Sequence, residues 1–340
     1  MQDDSRFTIH DPRALPRVDM HVHLCGAQGD GSGCFVHPSY LKSPLFRFMA
    51  WHLGVSARNI RTNLAKAYLE ALLRHLRISS IQKLVVFGHD RIYDERGKRL
   101  DSILQLYVPN EYVFSVCESH HDLLPGVSIH PARGDALDEL EKCVERGAVL
   151  VKWLPNSQNI NPSDRRYIKF YEKMRDAGLP LVAHTGGEHT VRILNDAFTT
   201  PACLQLPIDV GVNVIAAHSG TQSAPFEKDD FDLFCKMTER HPNFYGDNSA
   251  FSIPWRAKYI KRVIERGVAG KMLHGSDYPV PCYAWWQWRR FSFFEMAELQ
   301  KIPSILERDF QIKKRLGTPD DVFTRIWSLI PKRAERALGK

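Results

Sequence analysis

The segment Arg17–Gly26, "RVDMHVHLCG", puts His21 and His23 two residues apart inside what otherwise reads as a buried strand. Positions i and i+2 of a strand face the same side, so both imidazoles should point one way, with Asp19 in the same phase one layer deeper. Three polar side chains on one buried face are costly unless something charged compensates them, and a bound metal cation is the simplest such partner. Taken alone, the pair also allows two hydrogen-bonded core histidines, which is what a lone buried His more often is.

Other runs end in groups that could complete a metal shell. Lys152 closes "AVLVKWLP", His184 lies in "LPLVAHTGG", His218 in "VNVIAAHSG" and Asp277 in "KMLHGSDYP". Independent core residues have no reason to choose the same end of successive strands, so the coincidence favours a shared ion. His21, His23, His184 and Asp277 are the expected ligands. His218 is open between a second metal and a base acting on metal-bound water. Lys152 is open between pairing with a carboxylate and a lysine carbamate bridging two metals, since burial near cations depresses a lysine pKa and frees the amine for carbon dioxide.

Eight such short apolar runs begin at residues 17, 82, 125, 148, 179, 212, 243 and 271. Amphipathic stretches fill the gaps. "RGDALDELEKCVERGA" sets Leu137, Leu140, Cys143 and Val144 on one face and stops at Gly147, and "DRRYIKFYEKMRDAGL" runs from an Asp164 cap to Gly178. Strand, helix and glycine repeating at about 25 to 35 residues predict an α/β fold, a single-domain (β/α)8 TIM barrel over 1–340. A doubly wound sheet is the rival, but no glycine-rich phosphate loop announces one. In a barrel the strand ends above form the C-terminal face, where such folds carry their chemistry. Residues 25–80 read as an elaborated insertion over the active-site mouth, and 300–340 as closing helices with Asp309, Lys313, Lys314 and Arg315 facing solvent.

Composition narrows the function classes. Of 340 residues, 44% are hydrophobic and 25% charged, as in an ordinary globular protein, and no apolar run is long enough to span a bilayer. "MQDDSRFTIHDPRALPR" has no apolar core of the kind a secretory signal needs, which makes cytoplasmic residence the expectation. Seven cysteines without CxxC spacing argue against a disulfide framework or a zinc knuckle, and are expected reduced and mostly buried. The net charge of +7 is spread along the chain, and "WWQWRR" is too small a basic cluster to make a nucleic-acid surface. A small-molecule substrate, with a lean toward an anionic one, is therefore expected, without nucleic-acid or membrane partners. A homo-oligomer is left open.

"DMHVHL" on the first strand, strand-end Lys152, His184 and His218, and finally "HGSDYP" resemble the amidohydrolase superfamily, in its amidohydrolase-2 branch of TIM-barrel decarboxylases and lactonases. The resemblance runs from residue 17 to about 280. It implies one or two divalent metal ions on His21, His23, His184 and Asp277, with His218 ligating a second ion or assisting catalysis and Lys152 at the position of the bridging carbamate. Zinc is the default for such a donor set, and manganese, iron or cobalt fit the same ligands. The implied reaction is attack of metal-bound hydroxide on an amide, ester or lactone carbonyl, with Asp277 taking and returning the proton and His218 steadying the oxyanion. A decarboxylase or hydratase acting on an aromatic or unsaturated acid is the alternative, with Arg256, Arg289 or Arg290 holding a carboxylate and Trp285, Trp286 or Trp288 stacking on a ring. A noncatalytic metal-binding scaffold is the third reading. His89, His130, His189, Glu188 and His274 are read as second-rank pocket or structural residues. Asp247 and Asn248 are pocket residues without an argued role.

Overall fold

Runs of β-branched residues that are apolar on both faces suit strands covered by helices outside and by one another inside. In the computed structural model, which describes residues 15–331, these runs form eight parallel strands: β1 (Val18–His23), β2 (Lys83–Phe87), β3 (Leu123–Val127), β4 (Leu150–Trp153), β5 (Leu181–His184), β6 (Val214–Ala217), β7 (Phe244–Asp247) and β8 (Met272–Leu273). They pair in chain order. Backbone bonds from Met20 N–H to His274 O and from His23 N–H to Tyr278 O, each 2.9 Å, bring the last strand's segment back to β1. The fold is the expected TIM barrel. Its outer layer includes α1 (Pro44–His52) and α2 (Leu64–Arg77) between β1 and β2, then α3 (Asn110–Ser119), α4 (Ala136–Glu145), α5 (Ile168–Ala177), α6 (Phe231–Arg240), α7 (Lys258–Glu265), α8 (Phe293–Gln300) and α9 (Ile305–Arg315). Gly178 ends α5 in the left-handed region, φ 61°, as its sequence predicts.

Strand alternation decides what enters the barrel. Val85, Leu124, Leu150, Val182, Ile215 and Leu273 fill the interior, and Ile326, Trp327, Leu329 and Ile330 plug its lower end. Val151 and Trp153, one residue out of phase, belong to the layer under the helices. Two residues beyond Leu150 and Val182, the same inward phase brings Lys152 and His184 to the upper mouth. Phe87 on β2 forms the floor there, with its ring 5.1 Å from that of His21. A Cβ on Gly126 of β3 would lie 2.6 Å from that ring, so only glycine fits.

The structure corrects several expectations. The pairing of β1 with β2 runs Asp19 to Leu84 and then Val22 to Val86, three steps against two, so a bulge lies between them. Asp19 is therefore not in phase with His21 and His23. It is buried on the other face, where its carboxylate accepts from Ser276 N at 2.9 Å, and burial pushes its pKa up to about 7. β3 begins at Leu123 rather than 125, and β8 is only two residues long, so Asp277 stands on the loop beyond it. Leu137 is exposed, and α4 packs through Ala136, Leu140 and Cys143. All seven cysteines are free, four of them buried. The N-terminal stretch through residue 14 and residues 332–340 of the tail lie outside the described residues. No described helix is long and apolar enough to cross a membrane.

Asp309 and Lys313 do not face solvent. Both are buried on the inner face of α9, 2.7 Å apart, while Lys314 and Arg315 stay partly exposed. Lys313 Nζ also donates to Gly275 O at 2.7 Å, and Asp309 accepts from Ser252 Oγ at 2.5 Å. The pair thus ties α9 to the loop that carries Asp277. Asp309→Ala leaves a buried ammonium unpaired and should cost about 3–5 kcal/mol in urea unfolding, whereas Asp309→Leu with Lys313→Met should recover most of that loss. Equal loss in both proteins would mean that packing, not charge, is what the pair supplies.

Candidate metal centre

The bulge that turns Asp19 away lets His21 and His23 both reach the barrel mouth, with rings 5.1 Å apart. His218 follows β6 directly at φ 61°, and Asp277 sits past β8 at φ 66°, a left-handed conformation that costs most residues energy but that Asp tolerates. Asp277 N–H donates to His21 O at 3.0 Å, which fixes the loop against β1. Gly275 makes that approach possible, because a Cβ there would come within 2.5 Å of the His21 Cβ.

Four polar atoms converge. His21 Nε2 lies 3.2 Å from His23 Nε2, 3.2 Å from Asp277 Oδ1 and 3.1 Å from Lys152 Nζ, and His23 Nε2 lies 3.4 Å from the same Asp277 oxygen. His218 joins them, its ring 5.2 Å from that of His21, and one donor each from His21, His218 and Asp277 falls within 4.8 Å of the others. His184 is the outer member: its ring is 4.8 Å from His218, and its Nδ1 is 3.6 Å from Glu188 Oε2.

Neighbouring groups fix the protonation pattern. His21 Nδ1 donates to Asp247 Oδ2 at 2.7 Å, so its Nε2 presents a lone pair to the cluster. His218 Nδ1 faces the Ser249 carbonyl at 3.1 Å and Ser249 Oγ at 2.7 Å. The hydroxyl spends its proton on Asp247, so Nδ1 must donate and Nε2 is again a lone pair. That tautomer suits a ligand or a base and removes the expected hydrogen bond from His218 to an oxyanion. Burial, with Lys152 nearby, lowers the His21 pKa to about 4, and burial lowers that of His184 to about 4. Both imidazoles are neutral, as metal ligands must be. Burial alone would raise the Asp277 carboxyl, but His21, His23 and Lys152 together hold it well below the usual range. Burial brings Lys152 down to about 8.

Asp247 is the residue whose role the sequence did not show. It is fully buried and accepts from His21 Nδ1 through one oxygen and from His218 N at 2.7 Å and Ser249 N at 3.1 Å through the other. One carboxylate therefore orients two imidazoles. Arg256 is the only one of the three candidate arginines on the cavity wall. Its Nη2 donates to Gly187 O at 2.9 Å, while its buried Nε has no partner. Arg289, Arg290, Trp285, Trp286 and Trp288 do not line the cavity, whereas His89, Glu188 and His189 do. Asn248 Oδ1 accepts from Gly275 N at 3.2 Å and so braces the Asp277 loop. His274 is buried below the mouth, its ring 4.7 Å from Phe323.

His130 is structural, since its Nε2 donates to Gln158 O at 2.9 Å and its Nδ1 accepts from Ala132 N at 3.2 Å. Burial lowers its pKa from 6.5 to about 4. Between those values the unfolded chain takes up a proton that the native site refuses, so stability should fall as pH drops from 6.5 toward 4, by at most about 1.4 kcal/mol per pH unit. His130→Gln should flatten that part of a urea stability profile. An unchanged slope would assign the acid sensitivity to other groups.

Above the cluster lies a cavity of about 250 Å³ into which His23, His184, His218 and Asp277 open. Its far wall comes from residues 40–68, within the stretch read as an insertion over the mouth. The donor set of imidazoles and a carboxylate suits a divalent cation, and the buried Nε2 of His184, which has no hydrogen-bond partner, is the kind of orphaned atom that an ion would satisfy.

A (β/α)8 barrel that gathers histidines, a lysine and an aspartate at its C-terminal mouth defines the class of barrel enzymes built to hold a metal. The chain belongs to the amidohydrolase family, Amidohydro_2 type, which matches residues 65–314. Members of that family are metal-dependent enzymes. The match begins beyond His21 and His23, whose place in the site rests on the geometry above. Among curated proteins there is no match. Among solved structures, the chain is similar to an uncharacterized TIM-barrel protein of Bordetella bronchiseptica, at 18% identity and a TM-score of 0.63, covering 96% of this chain and 100% of that one. It is also similar to a 5-carboxyvanillate decarboxylase of Sphingomonas paucimobilis (11%, TM-score 0.53, 96% and 99% covered) and a 4-oxalomesaconate hydratase of Rhodopseudomonas palustris (14%, TM-score 0.52, 95% and 98% covered). These likenesses establish the fold.

Proposed function

We propose that the protein is a metal-dependent hydrolase that adds water across the C–N or C–O bond of a small amide, ester or lactone. The observation that carries this reading is the double placement of Asp277. Its carboxylate lies within 3.4 Å of two imidazole nitrogens and also opens to the cavity, with 13% of the side chain exposed. His21, His23, His184 and Asp277 would hold the ion, with His218 beside them, and zinc best suits that donor set. A divalent metal there supplies Lewis acidity that polarises a carbonyl and makes water acidic near neutral pH. Asp277, held ionised by its neighbours, takes the proton from the attacking water and returns it to the leaving group. Asp247 keeps His21 and His218 with their lone pairs inward throughout. Arg256, the arginine on the cavity wall, supplies a positive charge that steadies negative charge on the substrate.

The guanidinium of Arg256 on the cavity wall supports a second reading, a decarboxylase or hydratase that grips a substrate carboxylate. Labelled water separates the two over a panel of esters, lactones, amides and unsaturated or aromatic acids. Label in a carboxylate group formed by cleavage of a C–N or C–O bond supports hydrolysis, and label only in a new hydroxyl of an uncleaved acid, or loss of carbon dioxide from the substrate, overturns it. The number of ions turns on Lys152. Metal analysis of wild type beside Lys152→Ala should show two ions falling to one or none if a carbamate bridges them, and one ion in both proteins if the amine merely pairs with Asp277.

A further inference from the structure

We infer that the substrate of this centre is an amphiphile, with its hydrolysable group at the metal cluster and an uncharged alkyl or aryl body lying against the wall built by residues 40–68. The inference rests on the hydrolase reading and adds the substrate class to it. The charged groups of the cavity all come from outside residues 40–68, where they stand among apolar neighbours such as Leu154, Val191 and Ile253. Lys152, His184, Glu188, His218 and Arg256 come from the loops and strand ends of β4 to β7. Facing them are Leu45, Phe46, Met49, Leu53, Val55 and Leu64. The barrel order explains the separation. The segment after β1 rises opposite β5, which sets the two walls across the cavity from each other.

No charged side chain from residues 40–68 lines the cavity, and both cationic groups, Lys152 and Arg256, lie on the facing wall. α1 builds much of the apolar wall, with Leu45, Phe46, Met49 and Ala50 spaced along one face and Leu53 at its C-terminal end. Phe46, Met49 and Leu53 are nearly inaccessible, so the wall is part of the packed core and not a loose flap. A dry apolar cavity of about 150 Å³ takes a benzene ring. At about 250 Å³, part of it next to the polar cluster, this one has room for a ring with a short arm or a chain of roughly six to eight carbons. The only polar side chains that residues 40–68 bring to the cavity are the hydroxyl-bearing Tyr40 and Tyr68, so a second carboxylate placed there would lose its water and meet no cation, and polyanionic acids are disfavoured.

Equilibrium binding tests this without turnover. The zinc-loaded full chain is titrated with straight-chain alkanoates from acetate to octanoate, and in parallel with dicarboxylates of matching length. Affinity should rise about two- to fourfold per added methylene until the cavity is full, while the dicarboxylates show no such gain. Leu45→Glu, at the half-exposed edge of the wall, and Ala50→Phe, which adds bulk to it, should each flatten the slope. A flat alkanoate series, or tighter binding of the dicarboxylates, overturns the proposal. If the panel shows no hydrolysis but the slope persists, the hydrolase reading fails alone. If esters are turned over with no dependence on chain length, this inference fails alone.

Discussion

Asp277→Asn should lower turnover by about 10²- to 10⁴-fold, with little change in the fold. Asparagine is nearly isosteric and tolerates the left-handed backbone at this position, φ 66°, so the loop bonded to His21 O is kept. What disappears is the one cavity-facing carboxylate beside both His21 and His23, and with it the acceptor for the proton of water. An amide oxygen is also a weaker ligand, so kcat should be compared at matched metal content. Turnover within tenfold of wild type at equal metal occupancy would remove Asp277 from the chemistry.

Asp247→Asn should weaken metal binding by about 10- to 100-fold although Asp247 is not expected to touch the ion. Both of its oxygens act as acceptors, Oδ2 for His21 Nδ1 and Oδ1 for the backbone N–H groups of His218 and Ser249 and for Ser249 Oγ. An amide can supply only one acceptor. If its oxygen turns to His218, its NH₂ meets the Nδ1–H of His21 and drives that ring toward the other tautomer, which would put a proton on the nitrogen facing the cluster. The buried donor left unpaired should also cost about 1–3 kcal/mol of stability. Competition against a chelator together with urea unfolding separates the two effects. Wild-type metal affinity in a folded Asp247→Asn protein would mean that His21 needs no orienting partner.

The barrel, and the gathering of most of the candidate residues at its mouth, were legible because both follow from periodicity. A short apolar run ending in His or Lys places that residue at one end of a parallel strand, and closure then collects those ends. His184 and Lys152 follow this rule with no further information. The departures occur where the rule meets a local irregularity or a distant contact. The bulge in β1 leaves no mark in "RVDMHVHL", so Asp19 read as a third inward group although it faces outward. Asp309 and Lys313 at i and i+4 look the same in a sequence whether the helix face that bears them meets water or the barrel wall, and only the packing of α9 decides. Asp247 was placed in the pocket without a role because its partner His21 lies 226 residues earlier. Only the closing of β7 and β8 against β1 brings them together. The apolar character of residues 40–68 was visible in "FRFMAWHLG", but which of those side chains face the cavity depends on how α1 lies across the mouth.

His21, His23, His184 and Asp277 should together bind a divalent metal. The most direct measurement is a zinc titration of chelator-stripped protein, with wild type beside the folded variants His21→Ala and Asp277→Ala. Wild type should take up zinc stoichiometrically and hold it through gel filtration, and both variants should lose it. Zinc retained undiminished in both variants, or no uptake by wild type, would contradict a metal centre at the mouth of this barrel.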